Sequence, residues 1–278
     1  MTSNTYQSLS TADYSLGRSL DAANQFFYDG KIAEVINYSG RVSDAERNKI
    51  ESYLSLKYGM TLNNGTQNYI ASDGSTTYWS TGTAGSYIYN IFGIGRDDTS
   101  ELSQITSKSV NNNAVITLEA LGEGTNLTPS FVDMGDKEFL TISHNAGSNT
   151  WSAIDAPATY NILSRKWKVQ ETWDVGTISL DFDVADIDFD IPTLNAGTSY
   201  YFVYDTNING NLADETPLIM TNISGNIWQI SGVNLAHTQT FTIATQASSN
   251  NIPTDISLSN NTVDENVANG STIGTLST

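Results

Sequence analysis

The sequence predicts an all-β protein, an antiparallel β-sandwich of jelly-roll or immunoglobulin-like type with one short α-helix near residues 43–58. Three observations carry this. Short apolar runs recur between Gly, Asn and Asp clusters from about residue 60 to residue 247. Only 15% of residues are charged, and the polar complement is rich in Ser, Thr, Asn and Gly, which suit strand faces and turns. One stretch alone, 43–59, carries helix start and stop signals together.

In chain order, residues 13–42 alternate like strands. Phe26-Phe27-Tyr28 leads into an Asp29-Gly30 turn signal, followed by Lys31 to Tyr38. Ser43 and Glu46 then form a capping box, with Ser43 as N-cap. Ile50, Tyr53, Leu54 and Tyr58 follow at helical spacing, Lys57 lies in the last turn and Gly59 supplies the stop. Strands are predicted at 86–94, 114–118, 139–143, 164–171, 177–182, 199–204, 226–230 and 238–245. Ser248 to Pro253 reads as a linker, and 255–258 opens another strand. The expected division is 1–60, 61–247 and 248–278. The first and last pieces are too small to bury a core of their own. The first either packs onto the middle piece or is the end of a preceding domain, and the last is expected to be the start of a domain continuing beyond it.

Composition narrows the function. Thirty acidic residues against 12 basic give a net charge of −18. That field repels phosphate backbones and anionic bilayers, so neither nucleic acid nor a membrane surface is an expected partner. It suits the collection of divalent cations, and it also keeps a secreted protein soluble. No cysteine is present, which removes disulfides, thiolate metal sites and thiol nucleophiles. No apolar run is long enough to span a bilayer, and Met1 to Ser10 is polar, so any export signal is expected outside this sequence.

The sharpest motif runs Asp205-Thr-Asn207-Ile-Asn209-Gly210-Asn211-Leu-Ala-Asp214-Glu215. It places oxygen-bearing side chains at alternate positions, with a glycine where a tight loop must turn, as at the opening of a calcium loop. Position twelve is Thr216, so Asp214 or Glu215 must supply the late carboxylate. Calcium is therefore the candidate cofactor, with an Asn/Gly-rich hairpin turn as the other reading. The run Asp181 to Asp190 carries five aspartates. It reads as a bulged strand whose charges protect a sheet edge, or as a weaker cation site. Gly93-Ile-Gly95-Arg96-Asp97-Asp98 lacks a third glycine and a following helix, and reads as a turn with an Arg–Asp pair. Trp167 and Trp228 sit in apolar strand patterns and are expected in the core. Trp79, in a Ser/Thr/Gly-rich segment, is the candidate exposed platform for a ligand. For catalysis, His144 and His237 match no metal or triad pattern, and nothing selects among Glu119, Glu123 and Glu171.

Two resemblances bear on the setting. Gly30 to Tyr38, Ser43 to Arg47 and Ile50 to Gly59 resemble the closing strands and helix of laminin-G/concanavalin-like domains in large Bacteroidetes surface proteins. A further β-region often follows there, with segments like Phe92 to Asp98 and Arg165 to Val169. Pro253 to Leu258 with Asp264-Glu265-Asn266 resembles the start of a cadherin-like repeat, in which Glu265 is the implied calcium ligand. The resemblance implies an extracellular, non-catalytic surface module for adhesion or for binding a carbohydrate or other ligand, calcium-stabilised, with neighbouring domains of its parent as partners. A structural spacer in a surface filament and a hydrolase of an extracellular polymer or ester are the alternatives.

Overall fold

A computed structural model describes residues 16, 27–185, 199–246, 257–258, 262, 265–272 and 276–277. The chain divides into two compact units, Met1–Val42 and Ser43–Thr278. The division falls at 42/43, and the helix that follows it packs with strands C-terminal to it. In the first unit the residues from Lys31 to Tyr38, read as a strand, form no regular element. Phe27, Tyr28, Ile32, Val35 and Tyr38 are all exposed there.

In the second unit, α1 is Asp44–Tyr58. The Ser43 hydroxyl accepts from the Glu46 N–H while the Glu46 carboxylate accepts from the Ser43 N–H at 2.8 Å, so the predicted capping box is present. Gly59 ends the helix at φ +62. A side chain there would run into the Lys108 carbonyl. The buried stripe is narrower than the apolar residues suggest. Ser52, Ser55 and Leu56 face inward, while Ile50 and Leu54 are half-buried. The two serines let the helix approach closely, and the Ser52 hydroxyl accepts the Ile70 N–H at 3.0 Å.

The strands follow in order. β1 (Tyr69–Ile70) and β2 (Thr77–Trp79) form a hairpin, then comes the single-turn helix α2 (Thr81–Ala84). Next are β3 (Tyr89–Asp97), β4 (Leu102–Gln104), β5 (Thr106–Lys108), β6 (Ile116–Ala120), a small hairpin of β7 (Gly124–Thr125) and β8 (Thr128–Pro129), and β9 (Phe139–His144). Then come β10 (Trp151–Ser152), β11 (Tyr160–Leu163), β12 (Trp167–Thr172), β13 (Ile178–Asp183) and β14 (Tyr200–Tyr204). β15 (Leu218–Ile219), β16 (Thr221–Ser224), β17 (Ile227–Val233) and β18 (Thr240–Gln246) complete the body. Ser257–Leu258 and Leu276–Ser277 form a further two-stranded pair.

Besides the two-stranded pairs, the described residues form two large antiparallel sheets. The nine-stranded sheet runs β10-β11-β18-β12-β9-β3-β4, with β14 also on β18 and β15 on β14. The five-stranded sheet runs β16-β17-β13-β6-β5. Alternation decides which side chains meet between them. Ile94, Leu140, Ile142, Trp167, Val169 and Phe241 of the larger sheet pack with Ile116, Leu118, Leu180 and Phe182 of the smaller in one core. The other face of the larger sheet is not left to solvent. Ile91 and Phe139 pack there with Leu56, Tyr69, Tyr78 and Trp79 of α1 and the hairpin. The fold is an all-β sandwich with a helix-and-hairpin layer over one sheet.

Gly93 and Gly95 lie within β3 rather than in the turn the sequence suggested. A Cβ on Gly93 would meet the Leu140 carbonyl, and one on Gly95 the Phe139 ring. This glycine pair gives clearance for packing. The Arg–Asp pair does form: Arg96 grips Asp98 with Nε to Oδ1 at 2.7 Å and Nη2 to Oδ2 at 3.0 Å.

Candidate functional site

The loop joining β14 to β15 carries the calcium-like motif, and the structure shows what its spacing does. Asp205 is 1% exposed. Its carboxylate accepts the N–H groups of Asn209 at 3.0 Å and Gly210 at 2.7 Å. Asn207, Asn209 and Asn211 then each accept the N–H two residues on, at 3.1, 2.7 and 3.1 Å. Glu215 closes the loop by accepting the N–H and hydroxyl of Thr206, both at 2.7 Å. The alternate spacing is thus the spacing of successive Asx turns, in which a side-chain oxygen caps the backbone two residues ahead. Asp214, on the exposed side, accepts from the amides of Asn207 and Asn209. Those bonds, that of Asn209 above all, hold its pKa below the ordinary carboxylate range. Asp155 anchors the loop from outside, accepting the Leu212 N–H at 3.0 Å and pairing with Lys166. Among the described residues no group of three or more His, Cys, Asp or Glu side chains is gathered to hold a metal ion.

Replacing Asp205 by alanine leaves the Gly210 N–H without its acceptor and the Asn209 N–H with Asn207 alone, in a closed site. The expected loss is about 2–3 kcal/mol, read as a lower urea midpoint, with Asp205→Asn losing less because one acceptor survives.

Other acids are used the same way. Asp73 accepts from Ser75 and Thr76. Burial works against its charge, but these bonds prevail and bring its pKa down to about 2. Glu123 is fully buried, and one of its oxygens takes the N–H groups of Asp133 and Met134. Of the aspartates in 181–190, Asp181 accepts from Gln229 and Asp183 caps Ala185. Asp186, Asp188 and Asp190 lie outside the described residues.

Trp79 is not the exposed platform that its polar neighbours suggested. It is 0% exposed, with Nε1 3.4 Å from the Ser143 hydroxyl and its ring against Tyr69. The outer face of the nine-stranded sheet needs an apolar cover, and the Tyr78-Trp79 pair provides it. Trp167 is buried as expected, and Trp228 is half-buried with its ring 5.1 Å from Tyr200. The exposed tryptophan is Trp173, at 75% and with φ +61. Glu265 is exposed in a turn, and its neighbour Asp264 lies outside the described residues.

Both histidines are tied into the fold. His144 is buried under Tyr89, and its Nδ1 accepts the Ala146 N–H at 2.9 Å. Burial first, then the Arg165 guanidinium, push its pKa down to about 4, so it is neutral at pH 7. The Nδ1 of His237 lies 3.1 Å from both the N–H and the carbonyl of Glu171.

Glu119 faces solvent on β6, opposite Ser179. Glu171 differs from the other acids. Burial raises its pKa to about 7, against the Val175 N–H that favours its charge, with Asp174 and Glu138 adding like-charge repulsion. The folded chain therefore holds this proton more tightly than the unfolded chain. Stability is expected to fall as pH rises from the ordinary glutamate value near ~4.3 to about 7. Thermal midpoints across that range should show the fall in the wild type and lose it in Glu171→Gln.

These features define a two-sheet β-sandwich domain whose loops are closed by their own acid and amide side chains. Residues 46–240 match the model of a family described as a domain of unknown function, DUF8202, which is more than half of the chain. The chain belongs to that family. No curated protein matches it, and no solved structure does. No helix among the described residues is long and apolar enough to cross a membrane.

Proposed function

We propose that this chain is a non-catalytic module of an extracellular surface protein, serving adhesion or the binding of a carbohydrate or other surface ligand beside neighbouring domains of its parent. The observation that carries the reading is the use made of the acids. Asp73, Asp97, Glu123, Asp205 and Glu215 all direct their oxygens to backbone N–H groups of turns and loops. Loops closed in this way hold a surface in fixed shape, which a binding module needs. The charge of −18 and the lack of cysteine suit an exported protein of this kind, and the laminin-G-like and cadherin-like segments support the setting.

Calcium at 205–215 belongs to the proposal on its oxygen count: Asp205, Asn207, Asn209, Asn211, Asp214 and Glu215 lie on one loop. Its entry requires Asp214 to exchange two amide donors for the cation. Thermal unfolding in calcium and in excess chelator tests this. The proposal expects a higher midpoint in calcium, lost in Asp214→Ala. Equal midpoints would leave the loop as a hydrogen-bonded brace and remove calcium from the account.

A second reading has one observation in its favour. A glutamate whose pKa lies near 7 is suited to act as a general acid, and Glu171 is such a residue. A hydrolase built on it would release reducing ends from a polysaccharide and lose that activity in Glu171→Gln.

A further inference from the structure

Trp173 directly follows the last residue of β12, and its ring stands 75% exposed on the turn that leaves that strand. Thr172 pins one side of that turn, its hydroxyl accepting the Phe139 N–H and donating to the Lys137 carbonyl, both at 3.1 Å. Glu171 reaches across to accept the Val175 N–H at 3.1 Å, and Asp174 accepts the Gly176 N–H at 2.9 Å. Trp173 itself sits at φ +61, a conformation that costs a non-glycine residue of order 1 kcal/mol or more. A large apolar ring is thus held out in water on a rigid, strained support.

Polar groups of a second segment are bonded to the residues flanking it. The Asn234 amide donates to Asp174 Oδ1 at 3.1 Å, and His237 is fixed against the Glu171 backbone. Asp174, Asn234 and His237 are all exposed. Asp174 Oδ2 and Asn234 Oδ1 remain as acceptors on the turn that carries the ring, and His237 Nε2 is a donor in the tautomer whose Nδ1 accepts the Glu171 N–H.

We propose that Trp173, with Asp174, Asn234 and His237, forms a shallow platform for a neutral saccharide. The inference rests on the surface-module reading and names its ligand class and site. A pyranose ring presents a face of C–H groups to the indole and a rim of hydroxyls that pair with carboxylate, amide and imidazole. An anionic sugar is disfavoured by Glu171, Glu138 and Asp174, which lie close enough to repel one another, and by the net charge. A second copy of the chain meets the same repulsion.

The test titrates the full chain with cellohexaose, xylohexaose, mannohexaose and laminarihexaose, following tryptophan fluorescence and heat. At least one is expected to bind, about tenfold more weakly in Trp173→Ala, which removes one stacking contact. Trp173→Tyr should recover part of the loss, and Asn234→Ala should weaken binding while the melting midpoint stays put. Binding equal in wild type and Trp173→Ala overturns the platform and leaves the ligand-binding reading standing. Release of reducing ends by the wild type overturns the non-catalytic reading and leaves the platform standing. Failure of all four sugars to bind, or a Trp173-dependent dimer in sedimentation, overturns the platform.

Discussion

Replacing Asp97 with alanine is expected to cost about 2–3 kcal/mol of folding stability, because it takes the acceptor from two half-buried Ser72 donors and one of the two carboxylates that hold Lys137. Asp97 is 2% exposed at the end of β3. One oxygen accepts from Lys137 Nζ at 2.7 Å and from the Ser72 hydroxyl at 2.6 Å, and the other accepts the Ser72 N–H at 2.8 Å. The carboxylate therefore ties the β1–β2 turn to the larger sheet, and Lys137 to both. Asp136 remains as a partner for Lys137 at 3.0 Å, but on the exposed side. Urea unfolding should show the loss as a lower midpoint with an unchanged slope, and Asp97→Asn should lose less. The pH dependence has a definite sign. Burial works to raise the Asp97 pKa, but the bonds from Lys137 and Ser72 prevail and hold it below the ordinary value. Its contribution is complete above the unfolded value of ~3.9 and is lost as pH falls through the folded one. Wild type should lose more stability in acid than Asp97→Asn does.

Trp167→Ala is expected to cost about 3–5 kcal/mol, the penalty for deleting a buried ring from the middle of a core. Its ring stacks on Phe241 at 5.8 Å and 12°, and meets Phe182 of the opposite sheet edge-on at 5.9 Å and 83°. It is thus a contact that fastens the two sheets to each other. Trp167→Phe keeps an aromatic contact and should lose about half as much. Equilibrium unfolding measures both, and the near-ultraviolet circular dichroism of the alanine variant should lose intensity as the aromatic cluster loosens.

Much of the architecture is legible in the sequence because it rests on short-range rules. The Ser43/Glu46 box and Gly59 fix both ends of the helix through local hydrogen bonds and a local φ. Alternation and turn residues find β9, β12, β13, β14, β17 and β18 to within a few residues. Partnership is beyond the reach of these rules. The apolar spacing of α1 points to Ile50 and Leu54, yet the buried positions are Ser52, Ser55 and Leu56, and Ser52 meets the backbone of the β1–β2 hairpin, where a small side chain permits close approach. Trp79 reads as exposed from its polar neighbours, but its surroundings are set by a sheet face that forms from residues far along the chain.

The site divides in the same way. The 205–215 motif is visible as oxygen ligands at alternate positions, and the same alternation generates Asx turns, so pattern alone does not separate the two. Trp173 is hidden by alternation itself. Trp167, Val169, Glu171 and Trp173 share one parity, which carries Trp173 toward the core. The positive φ at residue 173 breaks that parity and turns the ring outward. Asp174 and Gly176, bonded as an Asx turn, are the local signal that the strand has ended.

The most direct test of the central claim is one incubation of the full chain with a neutral polysaccharide such as xylan, assayed both for retained protein and for new reducing ends. A non-catalytic binding module should be retained, with Trp173→Ala retained less, and reducing ends should stay at the level of the protein-free control. Reducing ends that accumulate with the wild type and vanish with Glu171→Gln would contradict the account and make the domain a hydrolase.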